Sequence, residues 1–206
     1  MDNLITFSIT VFTAFFAITN PISNMTVFVS LTQGADVKTK HDINKRSNFI
    51  AFIIVAVFVL LGKYIFELFN ISIPAFKITG GILIFFIGFD MLQSKTSNVK
   101  SLNDVHVDEN IAVSPLAIPI LAGPGTIVTA MNFVANVETI HIILVILIFG
   151  SMSLITYFTF KLSDLIVKIV GHNVISVIGK IMGLIIAIIG TGMIITGIKL
   201  SFNLMA

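Results

Sequence analysis

The sequence predicts an all-α membrane protein: six transmembrane helices arranged as two inverted three-helix repeats, with helices 1 and 4 broken near the midplane. Three observations predict it. The chain of 206 residues is 56% hydrophobic and only 11% charged. A soluble domain averages about 25% charged residues, so this chain cannot clothe a water-facing surface. Six apolar segments stand out, each near the ~20 residues that cross a bilayer. Two of the six, the first and the fourth, are interrupted by proline at Pro21 and at Pro119 and Pro124.

The segments run 4–32, 47–69, 73–93, 111–135, 141–162 and 174–198. Met1, Asp2 and Asn3 lack the positive charge that opens a secretory signal, and no small-residue cleavage site closes the first apolar run, so the first segment is read as a retained helix. It is too long for a simple span. As one helix it would extend about 43 Å at 1.5 Å per residue, against a hydrocarbon core of ~30 Å. Asn20-Pro21 sits near its midpoint. The fourth segment carries Gly123-Pro124-Gly125 at the corresponding place. Proline removes a backbone donor and clashes with the preceding turn, and glycine lowers helix propensity. Backbone groups freed in hydrocarbon must find partners, so such breaks belong where they are buried in protein or line a cavity.

Lysine and arginine orient the spans. Lys38, Lys40, Lys45 and Arg46 follow segment one, Lys95 and Lys100 follow segment three, and Lys161 and Lys168 follow segment five. Only Lys63, Lys77 and Lys199 fall on the other side, with Lys180 inside the start of segment six. The positive-inside rule then places both termini outside and the basic loops in the cytoplasm. Residues 94–110 mix Ser, Asn, Lys and acids and read as a cytoplasmic linker. They separate a first three-helix repeat, 1–93, from a second, 111–206. A shift of 102 residues aligns Gly81, Ile87, Gly88 and Met91 with Gly183, Ile189, Gly190 and Met193, and a shift of 103 aligns Pro21 with Pro124. Three spans per half turn the second half upside down relative to the first, the plan of many secondary transporters.

The two breaks supply the candidate site. Half-helices that restart at Pro21 and at Gly125 present positive dipole ends. Asn20, Ser23, Asn24, Thr126 and Thr129 offer neutral hydrogen-bonding groups beside Pro21, Gly123, Pro124 and Gly125, with Asn132 two turns on. None is charged, so the chemistry suits a small neutral solute. Asp90, late in segment three, is the candidate for coupling to a cation, sodium or proton, because ionisable residues within spans are functional suspects. Gly179, Gly183, Ala187 and Thr191 recur every fourth residue in segment six and read as a helix-packing stripe.

Other chemistries find no foothold. The chain contains no cysteine, which excludes disulfides, thiol nucleophiles and thiolate metal sites. His41, His106, His141 and His172 show no ligand spacing, no hydrolase or nucleotide motif appears, and no basic run suits nucleic acid. Neither an enzyme nor a cofactor or metal is expected; the lipid bilayer is the partner. A non-transporting assembly or scaffold protein is the alternative, motivated by the small-residue stripe and the lack of a plainly intramembrane charge for ion coupling, and an efflux carrier of unknown substrate is a variant of the transporter.

Thr19-Asn20-Pro21, Gly80-Gly81-Ile82-Leu83 and Pro119-Ile120-Leu121-Ala122-Gly123-Pro124-Gly125-Thr126 together resemble the MarC family, over essentially the whole chain. The resemblance implies a six-helix bacterial inner-membrane protein. It further implies carriage of small neutral amino acids such as glycine and alanine on a cation gradient, as described for some archaeal relatives.

Overall fold

The computed structural model describes residues 2–93, 109–135 and 137–202. Among them every regular element is helical. The first apolar stretch forms α1 (Asp2–Thr19) and α2 (Pro21–Leu31), followed by α3 (Val37–Leu68) and α4 (Ile73–Gln93). After a single turn at Glu109–Ala112 comes an irregular coil, Val113–Leu121, and then α5 (Pro124–Val134), α6 (Thr139–Lys161), α7 (Ser163–Val170) and α8 (His172–Ser201).

Five stretches are long and apolar enough to cross a membrane: Leu4–Leu31, Val37–Gly62, Ile73–Gln93, Thr139–Lys161 and Asn173–Ser201. Val113–Leu121 with Pro124–Val134, bent by 45°, makes a sixth if the pair is one span. Each break falls where proline chemistry predicts one. In the irregular coil Ser114 and Ile118 are extended and precede cis bonds to Pro115 and Pro119. Its second half-helix begins at Pro124, one residue before the expected restart at Gly125.

Local chemistry explains where other elements differ from expectation. Segment two begins at Val37 rather than at residue 47. The Asp36 side chain caps that helix by accepting from the Thr39 amide at 3.2 Å, and the added turns carry the basic residues beyond the apolar run. Asp36 is exposed, and the Thr39 hydroxyl and amide hold its carboxyl below the usual range. The short helix α7 is not apparent in the apolar pattern. It buries Ser163 and packs Ile166, Val167 and Val170 inward, leaving Asp164, Leu165, Lys168 and Ile169 outside, the pattern of a helix lying in the interface. Asp164 reaches across to Lys40 at 3.0 Å rather than serving its neighbours Lys161 and Lys168. This ion pair, with the Tyr157 hydroxyl 3.4 Å from His41, brings the cations of α3, α6 and α7 to one end of the bundle. The linker expected at 94–110 lies outside the described residues except for its last two.

One core cluster gathers Val11, Phe15, Met25 and Phe28 of the first span with Val55, Leu116, Val145, Phe149 and Phe160. The closest helix pair is α4 against α8, running antiparallel with backbones nearly touching. A Cβ added to Gly81 would lie 2.6 Å from the Gly190 carbonyl oxygen, and one added to Gly88 would lie 2.5 Å from that of Gly183. The small-residue face of α8 is therefore Gly183, Ala187, Gly190 and Gly197. Gly183 and Ala187 keep their expected packing role. Gly179 instead approaches Ser23 of α2, and Thr191 is exposed with its hydroxyl donating back to the Ala187 carbonyl.

Candidate functional site

The break in the first span is built by Asn20. Its φ of 36° and ψ of 64° place it in the left-handed region, which asparagine tolerates better than most residues. From there its side-chain oxygen caps α2, accepting from the Ser23 amide at 3.3 Å. In an unbroken helix that amide would bond the Thr19 carbonyl. Asn24 takes over the vacated carbonyl, its Nδ2 donating to it at 2.7 Å. The Thr19 hydroxyl donates to the Phe15 carbonyl at 2.7 Å. The Asn20 and Asn24 side chains thus take up the Ser23 amide and the Thr19 carbonyl that the break separates, as burial in a membrane requires.

Two atoms are left over. Asn20 is 4% exposed, and its Nδ2 has no hydrogen-bond partner, nor does the buried Oγ of Ser23. They belong to residues on the same first turn of α2. Buried polar groups are paired in the great majority of cases, and each orphaned one costs about 1–3 kcal/mol. An unpaired amide and hydroxyl at a helix break are what a polar ligand would satisfy.

The second break abuts the first. Gly123 caps α5 in an extended conformation, and any side chain there would collide with the Pro119 carbonyl oxygen. Gly125 is buried where Ile18 of α1 and Ile87 of α4 converge: an added Cβ would lie 3.0 Å from one side chain and 2.8 Å from the other. Ile18 stands two residues before Asn20, so the two interruptions lie side by side. Gly179 of α8 faces Ser23 from the far side. Thr126 and Thr129 are buried, whereas Pro124 is exposed. Asn20, Pro21, Ser23, Asn24, Gly123, Gly125 and Thr126 are therefore grouped around one helix junction.

Two candidates lie elsewhere. Asn132 accepts from Nζ of Lys77 at 2.6 Å, two turns along α5 from the break. Asp90 is exposed near the end of α4, beyond Ile87, the α4 residue that reaches Gly125. The half-buried Lys77–Asn132 pair escapes the sequence reading, which places Lys77 among the outer charges. Its only signal is an isolated lysine four residues inside an apolar span. Among the described residues no three His, Cys, Asp or Glu side chains cluster as metal ligands do.

Known proteins are similar to this sequence along nearly its whole length. The family model described as MarC family integral membrane protein matches residues 5–202. The UPF0056 membrane protein YvbG of Bacillus subtilis is 38% identical over 202 residues, 95% of this chain and 96% of the relative. A UPF0056 membrane protein of Pyrococcus horikoshii is 39% identical over 193 residues, 94% of each chain. The UPF0056 membrane protein YhcE of Escherichia coli is 32% identical over 198 residues, 91% of this chain and 90% of the relative. No solved structure matches.

Proposed function

We propose that this chain, which belongs to the MarC family of integral membrane proteins, is a secondary transporter of a small neutral solute such as an amino acid. The observation that carries the reading is the orphaned pair, Asn20 Nδ2 and Ser23 Oγ, buried where two broken spans meet. Helix N-termini at Pro21 and Pro124 favour the negative end of a dipolar solute, and no charge is needed to hold its neutral part.

Reciprocal contacts support an inverted repeat. Under the 102-residue shift Gly81 corresponds to Gly183, and Gly88 to Gly190. The contact of Gly81 with Gly190 is then the same contact as that of Gly88 with Gly183. Likewise Gly88 with Ala187 matches Phe85 with Gly190, and Gly81 with Ile194 matches Leu92 with Gly183. A two-fold axis makes contacts reciprocal in this way. Two halves so related can rock against each other about a central site. The cations gathered at one end of the bundle support a cytoplasmic location for that end, with both termini periplasmic in a bacterial inner membrane.

The test is uptake of labelled glycine and alanine into proteoliposomes, under sodium and proton gradients imposed separately. Ser23→Ala removes a buried hydroxyl that has no partner, so the protein should stay at least as stable while uptake falls roughly tenfold or more. Asn20→Gly keeps the left-handed backbone, costs a few tenths of a kcal/mol as a cap, and should likewise impair uptake. Wild-type flux from folded Asn20→Gly and Ser23→Ala proteins would remove the pair from any binding role. A folded wild-type protein that moves neither solute under either gradient would refute the amino-acid reading.

A further inference from the structure

Outside the helix junction, the surface most distinct in its chemistry is a groove of about 490 Å³ between α3 and α6. Its walls are Phe49 and Phe52 on one side and Gly150 and Leu154 on the other, with His41, Lys45 and Tyr157 at the mouth. Gly150 lets the Phe52 ring pack close across the groove, 3.3 Å from where a Cβ would stand. Phe49 is 64% and Leu154 60% exposed, so the walls are open to whatever surrounds the helices.

We propose that this groove binds one anionic phospholipid, its phosphate at Lys45 and His41 and one acyl chain along Phe49, Phe52 and Leu154. Three observations carry the assignment. The walls belong to Val37–Gly62 and Thr139–Lys161, both stretches long and apolar enough to cross the membrane, so the adjacent molecule is a lipid. From His41 to Phe52 the groove follows eleven residues of helix, about 16 Å at 1.5 Å per residue. That is close to half of a ~30 Å hydrocarbon core, the depth of one leaflet. The cations stand at one end alone, on the face where Lys38, Lys40, Arg46 and Lys161 also gather. Basic pockets between helices at that level select anionic headgroups over zwitterionic ones.

The mouth is built to hold a phosphodiester. Lys45 is exposed at the groove's rim, its stem able to lie along the apolar wall while the ammonium stays at the headgroup level. The Tyr157 hydroxyl approaches Nδ1 of His41; when it donates there, Nε2 carries the ring proton and faces a phosphate as a donor. Behind them Asn44 donates from Nδ2 to the Tyr157 carbonyl at 2.9 Å, and Asn48 donates to the Asn44 side chain at 2.9 Å. The first bond fastens α3 to α6 at the level of the mouth, and the second, within α3, holds the Asn44 side chain in place for it. Asp42, the nearest carboxylate along α3, is outnumbered on that helix by Lys38, Lys40, Lys45 and Arg46.

The chain contains no tryptophan, so Phe49→Trp installs a single fluorophore in the groove wall. Phe86→Trp, on the exposed face of α4, serves as the reference site. Each full-length variant is reconstituted in phosphatidylcholine containing brominated-chain phosphatidylglycerol or brominated-chain phosphatidylcholine. In the Phe49→Trp protein the anionic lipid should quench with an apparent affinity about fivefold higher. Adding Lys45→Gln should bring the ratio close to one, and adding Lys45→Arg should retain it. The Phe86→Trp protein should show no preference. Equal quenching of the groove fluorophore by the two lipids overturns the proposal. So does the same preference at the reference site, which would mean bulk enrichment, or a preference indifferent to Lys45→Gln. Shielding of the groove fluorophore from both lipids also overturns it, and would assign the groove to a second copy of the chain.

Discussion

Replacing Gly190 by alanine places a methyl group 2.5 Å from the Phe85 amide nitrogen and 2.6 Å from the Gly81 carbonyl oxygen. Attractive contacts lie near 3.5–4.0 Å, so α4 and α8 must part by about 1 Å. The obstructing atoms are backbone and cannot rotate aside as a flexible side chain would. Overpacking of this kind costs about 1–3 kcal/mol. Alanine also has the better helix propensity, by about 1 kcal/mol, which conceals part of the loss. Gly192 supplies the control. It lies on the same helix, and nothing stands within 4 Å of the Cβ that alanine would add there. Subtracting its effect removes the propensity and leaves the contact. The expected difference between Gly190→Ala and Gly192→Ala is about 1–3 kcal/mol, with Gly192→Ala no less stable than the parent. Unfolding in mixed micelles by titration with a denaturing detergent, followed by far-ultraviolet circular dichroism, measures both. If Gly190→Ala unfolds at the same point as Gly192→Ala, or later, the closeness of this crossing is not what holds the two helices together.

Asn132→Leu strips Lys77 of its hydrogen-bond acceptor and should destabilise by about 1.5–3 kcal/mol, as loss of a bond to a charged group does. The double variant with Lys77→Met should recover much of that, and a thermodynamic cycle without coupling would show the 2.6 Å contact to be energetically idle. Asp36 gives a pH dependence of known sign. Its folded pKa lies below the usual 3.8, so the capping contribution is present above that pH and is lost as pH falls through the folded value. Hydrogen exchange at the Thr39 amide should therefore quicken only under strong acid, beyond the change expected from chemistry alone, and Asp36→Ala should abolish that pH dependence.

Much of the fold is legible because membrane insertion is decided by composition within a segment. An apolar run of sufficient length spans whatever its neighbours do, and proline interrupts a helix through its own missing donor. The Asn20-Pro21 and Gly123-Pro124 breaks are visible for that reason. The added turns at the start of α3 and the helix α7 are not, because they lie beyond the apolar runs and answer to capping and to interfacial amphipathicity. The packing face of α8 is half legible. A step of four residues picks out Gly183 and Ala187, but it drifts around the helix and so runs on to Gly179 and Thr191. The face observed, through Gly190 and Gly197, alternates steps of four and three, the period of a seam between two long helices.

The candidate site divides along the same line. Asn20 is recognisable as a polar residue at a break, but its left-handed backbone is not, because a residue before proline favours extended conformations. That its Nδ2 and the Ser23 hydroxyl end without partners depends on what Ile18, Gly125 and Gly179 place around them. Asn132 looks like a neighbour of the break in sequence, yet across the gap between α4 and α5 it answers to Lys77. The sequence by itself determined that the protein spans a membrane, where its helices are interrupted and which end gathers the cations, since each of these follows from the solvation of single residues and short runs. Only the tertiary structure decided which glycines touch, which lysine is half-buried and which polar atoms go unpaired, since each of these depends on atoms contributed from distant parts of the chain.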